Sequence, residues 1–211
     1  MKDKPSLLIM GNSNVGKSSI TRLLLPNPKK FKGRAGKQPG STLLIKPIEF
    51  PQMPYKIVDL PGFGYMKDSS RRRAEHIKKQ IVVHIEKHYN EYFFGLIVLN
   101  SLRIEDELKK YFIENETAIP LTFELIKFLN EFKIPLLVIL NKIDKISVFD
   151  KKRIFSLLIN SAKAYDLNLV HITDEVGKSN NEIPYLEFSA LKKTNLDKLK
   201  GIINASLRRK G

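Results

Sequence analysis

The sequence predicts an α/β fold with a six-stranded, mostly parallel sheet, helices on both faces and one antiparallel edge strand. Three observations predict it. Short apolar runs alternate with segments of helical periodicity along the chain. A glycine-containing loop joins the first apolar run to the first helical segment. The linker Pro51–Pro54 (PQMP) is short enough to join only antiparallel neighbours.

Strands are predicted where apolar or β-branched residues follow one another between turn-forming residues. The first run, Ser6–Met10, suits a strand buried on both faces. The two runs that flank Pro51–Pro54 form the predicted edge hairpin. In chain order the predicted strands are Ser6–Met10, Thr42–Phe50, Tyr55–Leu60, Phe94–Asn100, Pro135–Leu140 and Pro184–Phe188.

Helices are predicted where apolar residues recur every three or four positions. The acidic segment 103–120 is interpreted as a solvated connection with room for a short helix, and no chemistry is assigned to it. Without an internal repeat or an interdomain linker, residues 1–211 are expected to form a single domain. The predicted helices are Lys17–Leu25, Arg71–Tyr89, Leu121–Phe132, Phe149–Ala164 and Asn195–Leu207.

The composition indicates a globular protein and excludes several classes of site. Hydrophobic residues make up 42% of the chain, and the lack of cysteine excludes disulfides and thiolate metal sites. The N-terminal apolar run is too short for a signal peptide, and no run approaches the roughly 20 residues of a transmembrane helix. We therefore expect a soluble, cytoplasmic monomer without a stable membrane anchor.

The charge favours an anionic partner. The chain carries 37 Lys and Arg against 22 Asp and Glu, a net charge of +15. RNA and an anionic membrane surface both fit this excess, and a merely solvated basic surface is the alternative. The basic residues form local groups at Lys29, Lys30, Lys32, Arg34 and Lys37, at Arg71–Arg73, at Lys151–Arg153 and at Arg208–Lys210.

The segment Gly11–Ser18 (GNSNVGKS) matches the P-loop pattern G-x-x-x-x-G-K-S. It lies between a predicted strand and a predicted helix, where backbone N–H groups and the helix N-terminus converge on phosphate groups. Lys17 is expected to reach the β- and γ-phosphates, and the Ser18 hydroxyl to hold Mg²⁺. The pattern therefore predicts a bound nucleoside triphosphate.

Two further segments predict a nucleotide switch. Asp59–Gly62 (DLPG) follows the third predicted strand, so the Asp59 carboxylate lies near Mg²⁺, reached through water, and the Gly62 N–H near the γ-phosphate. Thr42, in PGST, is expected to bind Mg²⁺ through its hydroxyl and the γ-phosphate through its N–H. Loss of that phosphate would release both segments.

The base is predicted to be guanine. Asn141–Asp144 (NKID) follows the strand Pro135–Leu140, and the Asp144 carboxylate can accept hydrogen bonds from guanine N1–H and the 2-amino group. Adenine lacks that pair of donors. Asn141 is expected to brace the P-loop, and the Lys142 stem to cover the ring. In Ser189–Leu191 (SAL), the Ala190 N–H is expected to face guanine O6.

These motifs together resemble the complete GTPase set. Within it the chain resembles the TrmE–Era–EngA–EngB–septin class, and most of all the EngB group of ribosome-biogenesis GTP-binding proteins, in its archaeal branch. The resemblance is carried by GNSNVGKSSI, GKQPGST, VDLPGFGYMK, NKIDK and FSAL. It implies a G domain that binds GTP and GDP with Mg²⁺, contacts rRNA or the large ribosomal subunit during assembly, and supports normal cell division and septation.

Hydrolysis is expected to be slow. Phe63 follows Gly62 at the position where Ras-like GTPases have a glutamine that orients water. The resemblance implies a substitute, because Asn14 matches the P-loop asparagine that coordinates K⁺ in related GTPases. A K⁺ ion there would neutralise developing phosphate charge.

The predicted functional residues fall into overlapping groups. Lys17, Thr42 and Gly62 are the expected catalytic residues. Ser18, Thr42 and Asp59 are expected at Mg²⁺, and Asn14 at K⁺. The residues expected to contact the nucleotide are Gly11, Asn12, Ser13, Asn14, Val15, Gly16, Lys17, Ser18, Ser19, Pro39, Gly40, Ser41, Thr42, Asp59, Leu60, Pro61, Gly62, Asn141, Lys142, Ile143, Asp144, Phe188, Ser189 and Ala190.

Other interpretations remain open at this point. His84 and His88 lie one helical turn apart, but Glu86 points to another face, so we interpret them as a solvent-facing stripe rather than a metal site. A GTP-dependent membrane-surface or scaffold protein is an alternative function. A P-loop phosphotransferase is another, which DLPG and NKID disfavour.

Overall fold

The structure is a computed structural model that describes residues 3–30, 45, 47–62, 71–114, 119–172 and 182–210. Its centre is a six-stranded sheet with the spatial order β2-β1-β3-β4-β6-β5, in which every pair of neighbouring strands is parallel. The strands are β1 (Ser6–Met10), β2 (Lys56–Asp59), β3 (Tyr92–Asn100), β4 (Leu136–Asn141), β5 (Asn168–His171) and β6 (Glu182–Glu187).

Six α-helices accompany the sheet in the described part of the chain. Ser147 shows how one of them begins: its Oγ accepts a hydrogen bond from Asp150 N at 3.0 Å, which caps the N-terminus of α5. The helices are α1 (Lys17–Leu24), α2 (Arg71–His88), α3 (Ile104–Glu114), α4 (Leu121–Glu131), α5 (Val148–Lys163) and α6 (Leu196–Lys210).

The core lies on both faces of the sheet because the central strands β1, β3 and β4 are buried at every position and mostly apolar. In β1, Leu8 and Met10 face one side, and Leu7 and Ile9 face the other. The first side packs against α2, α3, α4 and α5, and the second against α1 and α6. Helices on both faces of a mostly parallel sheet are thus confirmed.

The predicted edge hairpin is reduced to one contact in the described residues. Ile48 N donates to Ile57 O at 2.7 Å, and Ile57 N donates to Ile48 O at 2.9 Å, which makes an isolated antiparallel bridge. The described residues of Thr42–Phe50, namely 45 and 47–50, form no strand, and 42–44 and 46 lie outside the described residues. The antiparallel edge strand is therefore not observed there.

The sixth strand comes from another part of the chain. β5 pairs in parallel with β6 from Asn168↔Glu182 to His171↔Tyr185 at the opposite edge of the sheet. The sequence does not predict this strand, because four residues with only Leu169 fully buried give a weak strand pattern.

The interpretation of segment 103–120 as a solvated connection is wrong for α3. Ile104 and Leu108, four residues apart, are both 3% exposed and belong to the core. Glu105 on the same helix pairs with Arg153 of α5 at 2.6 Å. Three acidic residues in the first turn of α3 suit the partial positive charge of a helix N-terminus. Residues 115–118 lie outside the described residues.

The parallel topology decides where function can be placed. All six strands end at the same edge of the sheet, which we call the carboxyl edge. Register brings strand ends together there, with Ile9 opposite Asp59 and Asn100 opposite Asn141. The P-loop, DLPG, NKID and SAL segments all leave the sheet at this edge.

Candidate functional site

The P-loop runs from the end of β1 into α1 with a backbone that requires glycine. Gly16, which caps α1, has a φ of 105°, in the left-handed region. A Cβ at this position would lie 2.2 Å from Asn141 Nδ2, so a side chain there would displace Asn141. Gly16 O accepts hydrogen bonds from Ser19 N and Ile20 N, and the helix starts directly behind the loop.

Asn141 joins three of the predicted motifs. Its Nδ2 donates to Val15 O in the P-loop at 2.8 Å, and its Oδ1 accepts from Ala190 N at 3.0 Å. The side chain is 1% exposed, so both hydrogen bonds are shielded from water. The bracing of the P-loop expected of Asn141 is observed. Ala190 N–H, expected to face guanine O6, is here bound to Asn141.

Lys17 is buried beneath the P-loop. Its Nζ donates to Gly11 O at 2.9 Å and to Asn12 O at 2.7 Å. Burial lowers the pKa of the Lys17 ammonium to about 8, and the nearby Asp59 carboxylate opposes that shift. A cation held against backbone carbonyls is suited to moving onto phosphate oxygens, which pair with it more strongly.

Asp59 lies at the end of β2, next to the first helix. Its carboxylate is buried, and Oδ2 lies 3.4 Å from Thr21 Oγ1, whose hydroxyl donates to Lys17 O at 3.0 Å. Ser18 lies in the first turn of α1 and has an exposed side chain. Hydroxyl and carboxylate oxygens are the ligands that Mg²⁺ prefers, so Ser18 and Asp59 fit this ion.

Gly62 lies directly against the P-loop. A Cβ at Gly62 would lie 2.7 Å from the N, Cα and Oγ atoms of Ser13, so no larger residue fits without displacing the loop. Leu60 N donates to Ile9 O at 3.0 Å and holds the start of the DLPG segment on β1. The segment and the P-loop are therefore in contact where a γ-phosphate is expected.

The NKID and SAL segments lie together at the predicted base end of the site. Ser189 Oγ donates to Asp144 Oδ1 at 2.5 Å, and Ile143 N donates to Phe188 O at 3.3 Å. Lys142, with a φ of 69°, extends its Nζ to Asn14 O at 2.7 Å, across the P-loop. Burial, together with the charges of Lys145 and Arg103, lowers the pKa of Lys142. The exposed Asp144 carboxylate is thus held in position by Ser189.

Most predicted site residues meet at the carboxyl edge. The described members of the P-loop, DLPG, NKID and SAL segments are linked by the contacts given above. Pro39, Gly40, Ser41, Thr42 and Phe63 lie outside the described residues, so their predicted roles stay predictions. Asn14 is exposed, with a φ of 61°.

Glu107 is a residue at the site that the sequence analysis missed. Its Oε1 accepts from Asn12 Nδ2 at 3.2 Å, which connects α3 to the P-loop. Burial raises the pKa of Glu107, whereas the hydrogen bond from Asn12 opposes the shift. Asn12 and Glu107 are 95 positions apart in the sequence, and no local sequence pattern predicts a contact over that separation.

His84 and His88 each have a partner other than a metal. His84 Nε2 lies 2.9 Å from the Tyr92 hydroxyl, and His88 Nδ1 lies 2.7 Å from Glu91 Oε1. Within the described residues, no group of three or more His, Cys, Asp or Glu side chains could hold a metal ion. None of the described helices is long and apolar enough to span a bilayer.

Comparison with known proteins supports the resemblance given by the motifs. The family described as "50S ribosome-binding GTPase" matches residues 6–142. A protein of Methanococcus aeolicus named "Probable GTP-binding protein EngB" is 31% identical over 159 residues, 75% of this chain and 66% of that protein. The match thus spans just under two thirds of that relative's own length.

Other relatives match over more of their length. A "Probable GTP-binding protein EngB" of Pyrococcus abyssi is 30% identical over 203 residues, covering 96% of this chain and 86% of that protein. The crystal structure of a probable GTP-binding protein engB is 26% identical, with a TM-score of 0.70 over 97% of this chain and 99% of that one. The chain therefore belongs to the family of 50S ribosome-binding GTPases.

Proposed function

We propose that this protein is a GTP-driven molecular switch with slow GTPase activity that acts in assembly of the large ribosomal subunit. The observation that carries the nucleotide part is the position of Asn141, which ties the P-loop at Val15 to the SAL turn at Ala190. These two hydrogen bonds fix the position of the phosphate site relative to the base site. Family membership favours this function over a phosphotransferase.

The base end selects guanine by hydrogen bonding. Ser189 holds Asp144 at one oxygen, and the carboxylate accepts hydrogen bonds from N1–H and the 2-amino group of the base. The aliphatic stem of Lys142, anchored on Asn14 O, lies over the P-loop where it can cover the ring. An adenine would leave the carboxylate without donors, which makes its binding unfavourable.

The phosphate end binds charge and orients the γ-phosphate. The Lys17 ammonium and the N-terminus of α1 balance the phosphate charge. Ser18, Thr42 and, through water, Asp59 would hold Mg²⁺, which neutralises phosphate charge when bound. Gly62 lies against Ser13 of the P-loop, so its N–H would bind the γ-phosphate and transmit the presence of that phosphate to the DLPG segment.

Slow hydrolysis follows from Phe63, which has no group to orient the attacking water. We propose that K⁺ bound at Asn14 raises the rate. Single-turnover GTP hydrolysis measured in K⁺ and in Na⁺ tests this part. Faster hydrolysis in K⁺, lost in Asn14→Ala, supports it, and equal rates in the two ions contradict it.

The ribosomal part is supported by the net charge of +15 and by the family description. Sedimentation with isolated large ribosomal subunits tests it, with the protein loaded with GDP or with a non-hydrolysable GTP analogue. We expect nucleotide-dependent co-sedimentation. Absence from the subunit in both states at low salt contradicts the proposal.

A ribosomal partner places the protein in the cytoplasm, and we propose that it acts as a monomer with one EngB-type G domain over residues 1–211. The single sheet that contains all the described strands supports the one-domain part. A role in cell division and septation would follow from impaired ribosome supply in cells that lack the protein. The membrane-surface or scaffold alternative predicts liposome binding, which a flotation assay would detect.

A further inference from the structure

Three large apolar side chains are far more exposed than any other in the described residues. Phe149 is 78% exposed, Val148 75% and Leu191 72%, and the next is Leu102 at 43%. A single exposed apolar side chain on a protein surface is common. Three of them at one end of a highly charged protein indicate a surface that a partner covers.

The three residues belong to the same part of the carboxyl edge. Val148 and Phe149 open α5 shortly after NKID, and Leu191 follows directly on Ala190. The hydrogen bond from Ser189 Oγ to Asp144 Oδ1 connects the SAL segment, which precedes Leu191, to the NKID segment, which precedes α5. The ion pair between Lys151 of α5 and Glu187 at the end of β6, at 2.6 Å, adds a second link.

Lysines flank these apolar residues. Lys145, Lys152 and Lys192 are exposed and form no ion pair with any of the residues that the structure describes. Two of the nearby acids are already occupied, because Glu187 pairs with Lys151 and the Asp150 carboxylate accepts from Ser147 Oγ and pairs with Arg153. The surface therefore combines an exposed aromatic ring with an excess of positive charge. We call Val148, Phe149, Leu191 and these three lysines the α5 patch.

We propose that the α5 patch binds single-stranded RNA, with the Phe149 ring stacked on a base and the lysines on neighbouring phosphates. Aromatic side chains beside cations are the usual means of holding unpaired RNA bases. Pairing with a second copy is disfavoured, because both surfaces belong to chains of net charge +15. The proposal rests on the ribosomal partner proposed above, and it names the surface that makes the contact.

The absence of tryptophan from the chain gives a direct spectroscopic test. Phe149→Trp places the sole indole in the α5 patch, and Val83→Trp places one on the exposed side of α2 as a control. Each variant is titrated with a single-stranded RNA of about ten nucleotides, within the usual range of site sizes. We expect base stacking to quench the emission of Phe149→Trp, and no comparable change for Val83→Trp.

Affinity measurements separate the ring from the charge. Phe149→Ala is expected to weaken RNA binding at least about fivefold, the lower end for one base–aromatic stack, whereas Phe149→Tyr keeps it. Lys152→Ala should lower both the affinity for RNA and the dependence of that affinity on salt concentration. Lys200→Ala, at an exposed position of α6, is the control and should change neither quantity. Fluorescent GDP binding checks that each variant keeps its nucleotide site.

The outcomes distinguish this inference from the ribosomal function. If the wild-type protein binds the large subunit, and Phe149→Ala binds both the subunit and the RNA as tightly as the wild type does, the proposed role of the α5 patch is overturned and the ribosomal function stands. If the wild-type protein binds RNA through Phe149 but not the subunit, the ribosomal function fails alone. If Phe149→Ala loses the subunit while RNA affinity is unchanged, the partner is a protein. Phe149-dependent binding to anionic vesicles but not to RNA also overturns the proposal.

Discussion

At the scale of single residues, the site depends on polar side chains held away from water. Asn141, which is only 1% exposed, donates a hydrogen bond to the P-loop and accepts one from the SAL segment. The Lys17 ammonium donates to two backbone carbonyls of the P-loop. Buried polar groups of this kind are costly unless every partner is present. The predicted phosphate and base ends are therefore positioned by the same few hydrogen bonds.

Lys17 gives the first prediction, which concerns pH. Its pKa in the free protein is lowered to about 8 by burial, and bound phosphates favour the charged form. GDP affinity should be constant near neutral pH and fall by up to about tenfold per pH unit above 8, with proton uptake on binding. Isothermal titration calorimetry in buffers of different ionisation enthalpy measures both quantities.

Lys17→Arg is the matched variant for this prediction. Arginine stays charged throughout this pH range, so its GDP affinity, although lower because the guanidinium fits poorly, should not fall above pH 8. A wild-type affinity that is flat to about pH 9.5 would show that Lys17 titrates at its ordinary value.

The sequence could predict Lys17 and Asn141 as site residues because the motifs fix both residue type and spacing. It could not predict that Glu107 contacts Asn12, or that Thr21 lies between Lys17 and Asp59. Both contacts depend on how helices pack around the P-loop. Side-chain chemistry is thus readable from the sequence, whereas the residues that support it come from tertiary structure.

Glu107 gives the second prediction. Glu107→Ala removes the acceptor for Asn12 Nδ2, and we expect GDP affinity to fall about fivefold, as for the loss of one hydrogen bond of about 1 kcal/mol. Glu107→Gln keeps a carbonyl acceptor and should bind GDP nearly as the wild type does. Equal losses in the two variants would indicate that the charge, rather than the hydrogen bond, supports the loop.

At the scale of elements, α3 shows how an acidic segment becomes part of the core. Ile104 and Leu108 face the sheet while Glu105 holds Arg153 on α5. The acidic residues of this segment favour a solvated connection, but its two apolar residues lie four positions apart, at the helical spacing, and place the helix on the core. The strand β5 was missed for a related reason, since its place depends on pairing with β6 rather than on its own pattern.

Leu108 gives the third prediction. Truncation of this buried side chain in Leu108→Ala should lower the free energy of unfolding by about 2–4 kcal/mol, through lost burial and the cavity left behind. Urea denaturation followed by circular dichroism measures it. Lys109→Ala, next along the same helix at an exposed ion pair, should change it by less than about 1 kcal/mol. Equal values for the two variants would contradict the packing of α3.

At the scale of the whole molecule, topology explains most of what the sequence could predict. Parallel strands end at one edge, so motifs that follow different strands meet there without any further assumption. The fold class and the convergence of the P-loop, DLPG, NKID and SAL segments could be foreseen on that ground. Of the predicted antiparallel edge strand, the described residues show only the bridge between Ile48 and Ile57, because a short linker permits a hairpin without fixing how many residues pair.

The net charge gives the fourth prediction. If the large subunit is bound through phosphates, affinity should fall steeply with NaCl, and about four phosphate contacts would cost close to a hundredfold between 50 and 200 mM salt. Sedimentation across that range measures it. Fluorescent GDP binding over the same range is the control and should change far less. A subunit affinity that is independent of salt would contradict an rRNA contact.

We propose that Asp144 makes this protein a guanine-specific switch, and an exchange of base preference is the sharpest test of that role. The measurement compares the affinities of the wild type and Asp144→Asn for GDP, ADP and xanthosine diphosphate. We expect the wild type to prefer GDP strongly over ADP. We also expect Asp144→Asn to lose affinity for GDP and to gain affinity for xanthosine diphosphate, because the amide donates a hydrogen bond to the second carbonyl of xanthine. A wild type that binds ADP as tightly as GDP, or an Asp144→Asn variant that keeps its GDP affinity, would show that Asp144 does not select the base.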